Sequence, residues 1–387
     1  MFKNYLLMLL VSSIVVLQAC KKDDPATVCA KTANELKINQ IQVLGSHNSY
    51  RKAMDRDIFD FLVSVQSLLP GNAQPQELDY AHASLAEQLN EYGMRSFEID
   101  IYHDPTGGRF YNRTGNALVS RPEASNVPSL QTPGLKVLHM PDIDFNTHHY
   151  TFIDALQTLK IWSANNHNHL PLFVYIEPKT SDLTDVFLHY WTAALPFTQG
   201  FADSIDLEIN AVFGEDADQV ITPDEVRGSF NTLEEAVLAG NWPTLEEARG
   251  KILFVVGHSG YKDNHPSLVD RVAFSFSTPG EPECAFVLLN DPITDLEKIR
   301  DYVGLGYMVR TRTDAGTYEA KSGDYTRSNA AFNSGAQLIS TDYYKSDPRA
   351  DTSAVWTDFK VAFPNGELAR VNAYAGGVLG NGCFIGE

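Results

Sequence analysis

Eight short apolar runs alternate with helix and turn signals along the 387-residue chain, and this alternation limits the fold more than any other feature. The runs are Ile41 to Ser46, Ser96 to Tyr102, Leu135 to Met140, Leu172 to Glu177, Ile252 to Val256, Ala285 to Leu289, Tyr307 to Arg312 and Gln337 to Asp342. Most are β-branched or aromatic and nearly continuous, as in strands buried on both faces. Between them, Ser84-Leu85-Ala86-Glu87 is a capping box, and further Thr-x-x-Glu boxes begin at Thr222, Thr232 and Thr244. Asp295 to Gly304 and Ser328 to Gly335 read as helices ended by glycine. The pattern predicts an α/β fold, a single TIM-type (β/α)8 barrel.

The barrel is expected to be irregular. Residues 103–134 are rich in Gly, Pro, Asn and Ser, which predicts a long loop in the second crossover. Residues 180–251 are too long for one helix and predict a helical excursion between strands 4 and 5. The tail from Asp351 reads as irregular or β, and no internal repeat or second core argues for another domain.

Residues 1–19 differ in kind from the rest. Lys3 precedes an apolar run from Leu6 to Leu17, too short for a bilayer span, so the segment reads as a signal peptide. Leu17-Gln18-Ala19-Cys20 resembles the lipobox of bacterial lipoproteins. By that resemblance Cys20 becomes an acylated N-terminus, residues 20–36 a lipidated tether, and the product an exported, membrane-anchored lipoprotein of the outer membrane or cell surface. A plain signal peptide with an incidental Cys20 is the alternative. Three cysteines then remain, and Cys29 and Cys383 would pair if the chain ends meet.

Charge excludes one class of partner. The formal charge is −19, which argues against nucleic acid and against adsorption to anionic membranes by charge alone. It does not describe a cleft, where a bound cation reverses the local field.

The active end of a parallel barrel is the C-terminal end of its strands. The first run leads into Gly45-Ser46-His47-Asn48-Ser49-Tyr50, and the second carries Glu98-Ile99-Asp100, whose period-2 spacing puts both carboxylates on one face. The third run ends in His139 and the fourth in Glu177-Pro178-Lys179. Singly, each has a structural explanation, since a lone His or Asn at a strand end is commonly a satisfied polar group. Together, four consecutive strand ends bring metal-ligand types or titratable groups to one rim, which predicts a catalytic site. His148-His149 and the Asn165 to His169 cluster lie away from that rim.

Ser46-His47-Asn48-Ser49-Tyr50, Glu98-x-Asp100, His139 and Glu177-Pro178-Lys179, in this order, resemble the calcium-dependent phosphatidylinositol-specific phospholipases C, especially their bacterial secreted branch. The resemblance continues through Ile221 to Asp224, Trp242 to Lys251, Gly306 to Arg312 and Ser340 to Tyr343. It implies a phospholipase C-like domain over residues 37–387. It also implies that His47 and His139 flank the phosphate and that Asn48, Glu98, Asp100 and Glu177 hold Ca2+, an oxygen set that suits a hard cation. The implied reaction is attack of the inositol 2-hydroxyl on phosphorus, releasing diacylglycerol and inositol 1,2-cyclic phosphate. Glu177 or Glu98 would take the hydroxyl proton, His47 would stabilise the phosphoryl oxygens, and His139 would protonate the leaving alcohol. Lys179, Arg310, Arg312 and His258 are candidate substrate contacts.

The implied partners are a phosphoinositide or glycosylphosphatidylinositol lipid and the anchoring membrane, with the protein a monomer. Two alternatives stand beside this. A glycerophosphodiester phosphodiesterase-like barrel also uses two histidines and Glu-x-Asp, but typically begins His-Arg where this chain has His47-Asn48. A non-catalytic inositol- or glycan-binding surface lipoprotein would need no paired histidines.

Overall fold

The computed structural model describes residues 25–69, 73–181 and 191–387. Its strands are β1 (Ile41–Ser46), β2 (Ser96–Tyr102), β3 (Lys136–Val137), β4 (Leu172–Pro178), β5 (Ile252–Val256), β6 (Phe274–Ser275), β7 (Phe286–Leu288), β8 (Met308–Arg312), β9 (Leu338–Thr341) and β10 (Ala369–Val371). All but β3 and β10 run parallel, in the order β6-β5-β4-β2-β1-β9-β8-β7. A parallel bridge between Phe276 and Phe286 joins the two ends of this path, so the barrel is nearly closed. The barrel strands are buried along almost their whole length, which is why they read as continuous apolar runs. Gly45 is required where β1 meets β2, because a Cβ there would stand 2.5 Å from the Ser96 Cβ.

Two strand assignments differ from the sequence reading. Leu135 to Met140 is not the third barrel strand: only Lys136 and Val137 pair, antiparallel to Tyr102 and Ile101 of β2. Pro141 follows immediately and cannot donate to a ladder, and Met140 and Asp144 close a turn instead. The third barrel position belongs to β4, and the missing strand is β6, whose two residues are too short to register as a run. The second crossover is a long loop as expected, with 3₁₀ turns at Thr114–Val119 and Pro128–Gln131 before the helix Phe152–Asn165. The excursion before β5 holds the helices Gln199–Phe213, Pro223–Arg227, Leu233–Leu238 and Leu245–Ala248, the last three capped by Thr222, Thr232 and Thr244.

The N-terminal face of the barrel is closed by both ends of the described chain. Residues expected to be tether instead form the helix Pro25–Asn34, fixed by a Cys29–Cys383 disulfide with its Cα atoms 5.2 Å apart. The Glu387 carboxylate accepts two hydrogen bonds from buried Arg95, at 2.7 and 2.6 Å, and one from the Leu170 N–H at 2.7 Å. Glu387→Ala should therefore cost about 2 kcal/mol in urea unfolding, because it removes the charged hydrogen bonds of Arg95, which keeps the Leu89 and Met94 carbonyls. An unchanged midpoint would mean that water replaces Glu387 without penalty.

Candidate active site

His47 leaves the end of β1 and is held by groups from two other strands. Its Nδ1 lies 3.0 Å from Asp342 Oδ1, just past β9, while Arg312 at the end of β8 reaches both Asp342 Oδ2 (2.7 Å) and His47 Nε2 (3.4 Å). The His47 carbonyl is 2.6 Å from His82 Nε2. Burial and the Arg312 charge push the His47 pKa down, against the pull of Asp342 and Glu98. Burial opposes ionisation of Asp342, but His47 and Arg312 overcome it and hold this carboxyl well below the usual range.

Asn48 follows at φ 49°, in the left-handed region that Asn tolerates better than most side chains. Its amide nitrogen donates to the Tyr80 hydroxyl at 3.1 Å, leaving the amide oxygen for a cation.

The carboxylates stand beside this group. Glu98 on β2 approaches His47 Nε2 to 3.8 Å and is engaged by Arg310 of β8. Burial works against its ionisation, but Arg310, His47 and other cations lower its pKa. Arg310 is itself buried and also bonds Asn290 Oδ1 (2.7 Å) and Ser340 Oγ (3.1 Å), so it braces Glu98 and is not presented to a ligand. Asp100 sits opposite Glu177 in the β2–β4 register. Burial, then the Asp100 charge, pushes the Glu177 pKa up to about 8, and the Tyr175 hydroxyl donates to its Oε2.

Asp100 is fully buried, and neither of its oxygens completes a hydrogen bond. Its neighbours are Lys179, whose Nζ lies 3.0 Å from Oδ2 at an ion-pair distance without hydrogen-bond geometry, and the buried Tyr50 hydroxyl. A carboxylate with unused lone pairs beside a second carboxylate offers oxygen donors that a hard divalent cation can use. The donor set of Asn48, Glu98, Asp100 and Glu177 fits calcium. It is not a preformed cage: among the described residues no three His, Cys, Asp or Glu side chains gather around one point, and Lys179 and Arg310 occupy the carboxylates.

His139 lies in the crossover after β3, not at a barrel strand end. Its Nδ1 is 2.7 Å from Asp144 Oδ2, which in turn takes Arg51 Nε at 2.6 Å. Fully buried Arg51 also donates to the carbonyls of Leu78 and Tyr80 and stacks on the Tyr80 ring. The two histidines are thus joined through Asp144, Arg51 and Tyr80, since the Tyr80 hydroxyl is 3.4 Å from His47 Nδ1. Burial opposes ionisation of Asp144, but Arg51 and His139 prevail and lower its pKa.

His47, Glu98, Asp100, Glu177, Lys179, Arg310 and Arg312 are therefore brought into one network, with Asn48 and His139 attached through Tyr80. His258 is not part of it: its ring stacks on Phe197 with centroids 3.9 Å apart, and its Nδ1 accepts from the Gly260 N–H. Cys20 lies outside the described residues. His148, His149 and His169 are tied to the His82 carbonyl, Asp154 and Ser163, which are structural roles. A cavity of about 430 Å³ adjoins the network, lined by Tyr80, His82 and Asp342 with Met54, Phe59 and Arg349, but Glu98, Asp100 and Glu177 do not line it.

Sequence reasoning missed Asp342, Asp144, Arg51 and His82. Asp342 was detectable, as an acid closing the last apolar run; the others carry no local signal.

The family model for calcium-dependent phosphoinositide phospholipase C matches residues 36–373. No match is found among curated proteins. Among solved structures, the chain is similar to the calcium-dependent phosphoinositol-specific phospholipase C of a Gram-negative Pseudomonas species. The apo form has 13% identity over 90% of this chain and 97% of that one, with a TM-score of 0.51. The myo-inositol complex has 14% identity over 90% and 100%, also at 0.51. A calcium-dependent phosphatidylinositol-specific phospholipase C from Streptomyces antibioticus has 14% identity over 84% and 100%, with a TM-score of 0.47. The two likenesses at a TM-score of 0.51 speak to the fold, and the family model spans most of the sequence, including every residue of the network. The chain belongs to the calcium-dependent phosphoinositide phospholipase C family.

Proposed function

We propose that the protein cleaves phosphatidylinositol-type lipids into diacylglycerol and inositol 1,2-cyclic phosphate. The observation that carries this reading is the pair of histidines, each held at Nδ1 by its own buried carboxylate, Asp342 for His47 and Asp144 for His139. A carboxylate at Nδ1 fixes the ring and stabilises the imidazolium that forms when Nε2 takes a proton. Such a pair suits one proton acceptor and one proton donor across a phosphodiester.

The geometry favours His47 as acceptor of the inositol 2-hydroxyl proton, in place of the Glu177 or Glu98 suggested by the sequence. Arg310 engages Glu98, and Glu177 is better used as a cation ligand beside Asp100. Arg312, 3.4 Å from His47 Nε2, would hold a phosphoryl oxygen, and Lys179, at Asp100, would contact another. His139 would give its Nε2 proton to the glycerol oxygen as it leaves. Bound calcium, held by Asn48, Glu98, Asp100 and Glu177, would lower the 2-hydroxyl pKa and offset the phosphoryl charge.

Phosphorus NMR tests the reading. With phosphatidylinositol and calcium, the cyclic phosphate should be the first phosphorus product. Inositol 1-phosphate or glycerophosphate appearing first would transfer the chemistry to a water or glycerol nucleophile, as in the glycerophosphodiesterase-like alternative.

Export and acylation at Cys20 belong to the same proposal. Cys20→Ser should move the protein from the membrane fraction to the soluble fraction, and unchanged fractionation would reject the anchor.

A further inference from the structure

We propose that the anchored enzyme turns its active site away from the membrane that carries its acyl chains and cleaves lipid in an apposed surface. This rests on the phospholipase reading and on acylation of Cys20. The catalytic network stands at the C-terminal ends of the barrel strands, where His47 follows β1, Glu177 is at the end of β4 and Asp342 follows β9.

The N-terminus is fixed at the opposite end. Helix Pro25–Asn34 is joined through Cys29 to Cys383, four residues before Glu387, whose carboxylate holds Arg95 and the Leu170 N–H. Arg95 and Leu170 lead into β2 and β4 from below. Asn34 accepts from Arg249, which leads into β5 in the same way.

Lengths weigh on the orientation. Residues 20–24 span at most about 18 Å when fully extended, and the turn of helix from Pro25 to Cys29 adds about 6 Å. A seven-residue strand such as β2 is about 23 Å long, or roughly 19 Å along the barrel axis at a tilt of about 36°, before the loops that carry His47 and His139 are added. To bring the rim near its own bilayer, a tether rooted beneath the barrel would have to be drawn to full extension alongside it, which disfavours that orientation.

Exposed apolar side chains on the same face agree. Val28 and Phe384, next to the bridged cysteines, are 45% and 61% exposed, and Val378 is 80% exposed. Val378 follows Gly377, which lies against the Gln40 carbonyl at the foot of β1. This face would rest on the anchoring membrane.

The test uses acylated full-length protein inserted in a supported bilayer. Fluorescent phosphatidylinositol is placed either in that bilayer or, at equal density, in vesicles above it. Vesicle lipid should be cleaved at least tenfold faster. A Gly/Ser insert of about thirty residues after Asp24, with a root-mean-square span of about 30 Å, should raise cleavage in the anchoring bilayer at least tenfold and leave vesicle cleavage within twofold. Equal rates with the native tether would overturn the proposal. Full-length Cys20→Ser, free in solution, should cleave both lipid pools alike. If it cleaves neither, the phospholipase reading fails. If the wild type washes off the bilayer, the anchor reading fails. Either result removes the proposal by a route distinct from an orientation error.

Discussion

His47→Ala and His139→Ala should each lower turnover on phosphatidylinositol by roughly 10²–10⁴-fold, with the melting temperature within a few degrees of wild type. The stability half follows from their surroundings. Both imidazoles are partly exposed, at 20% and 14% of their side-chain area. Their carboxylate partners also keep another cation, Arg312 at Asp342 and Arg51 at Asp144. Removing either ring therefore strands no buried charge. The activity half follows from Nε2, the proposed proton-transfer atom of both rings, which in His47 faces Arg312 and Glu98, the groups proposed at the phosphate and the cation. Asp342→Asn and Asp144→Asn extend the test, because an amide lets the ring turn while the imidazole remains. They should lose kcat with little change in KM. A melting-temperature loss in step with activity in the two histidine variants would make the histidines structural; the aspartate variants also take a partner from Arg312 or Arg51 and are read by kcat and KM alone.

The barrel was legible because parallel strands buried on both faces leave continuous apolar runs, and β4 from Leu172 to Ile176 is the clearest instance. Apolarity does not report pairing direction, so Leu135 to Met140 read as a barrel strand although two residues pair, antiparallel. A two-residue strand such as β6 has no pattern at all. The candidate site was legible at strand ends, where chain order alone places His47, Glu98, Asp100 and Glu177 on one rim. What orients the histidines was not: Arg51 meets Asp144 across 93 residues, through a crossover whose path Pro141 and the Met140–Asp144 turn determine. Arg310 and Arg312 are two apart on β8, yet one braces Glu98 from inside the barrel and the other reaches His47. Spacing places both on one face and does not separate those roles.

Chelation should abolish activity and calcium should restore it, and Asp100 is the residue on which this dependence turns. Without a cation, its buried carboxylate has Lys179 as its ion partner and no completed hydrogen bond. Burying charge with unused lone pairs is costly, so Asp100→Asn should leave the metal-free protein about as stable as wild type or slightly more stable. The bound form should behave oppositely. Calcium at about one hundred times its dissociation constant should stabilise the wild type by about 2.7 kcal/mol, read as a rise in melting temperature, and Asp100→Asn should lose most of that rise together with most turnover. Zinc should not substitute, because the donor set is an amide oxygen and carboxylates, with no thiolate and no free imidazole assigned to it. Lys179→Met gives the complementary result. Removing the cation that competes for Asp100 should tighten calcium binding while turnover falls, since Lys179 would also contact phosphate. Full activity after exhaustive chelation, or a calcium-induced stabilisation that survives Asp100→Asn, would place the cation elsewhere.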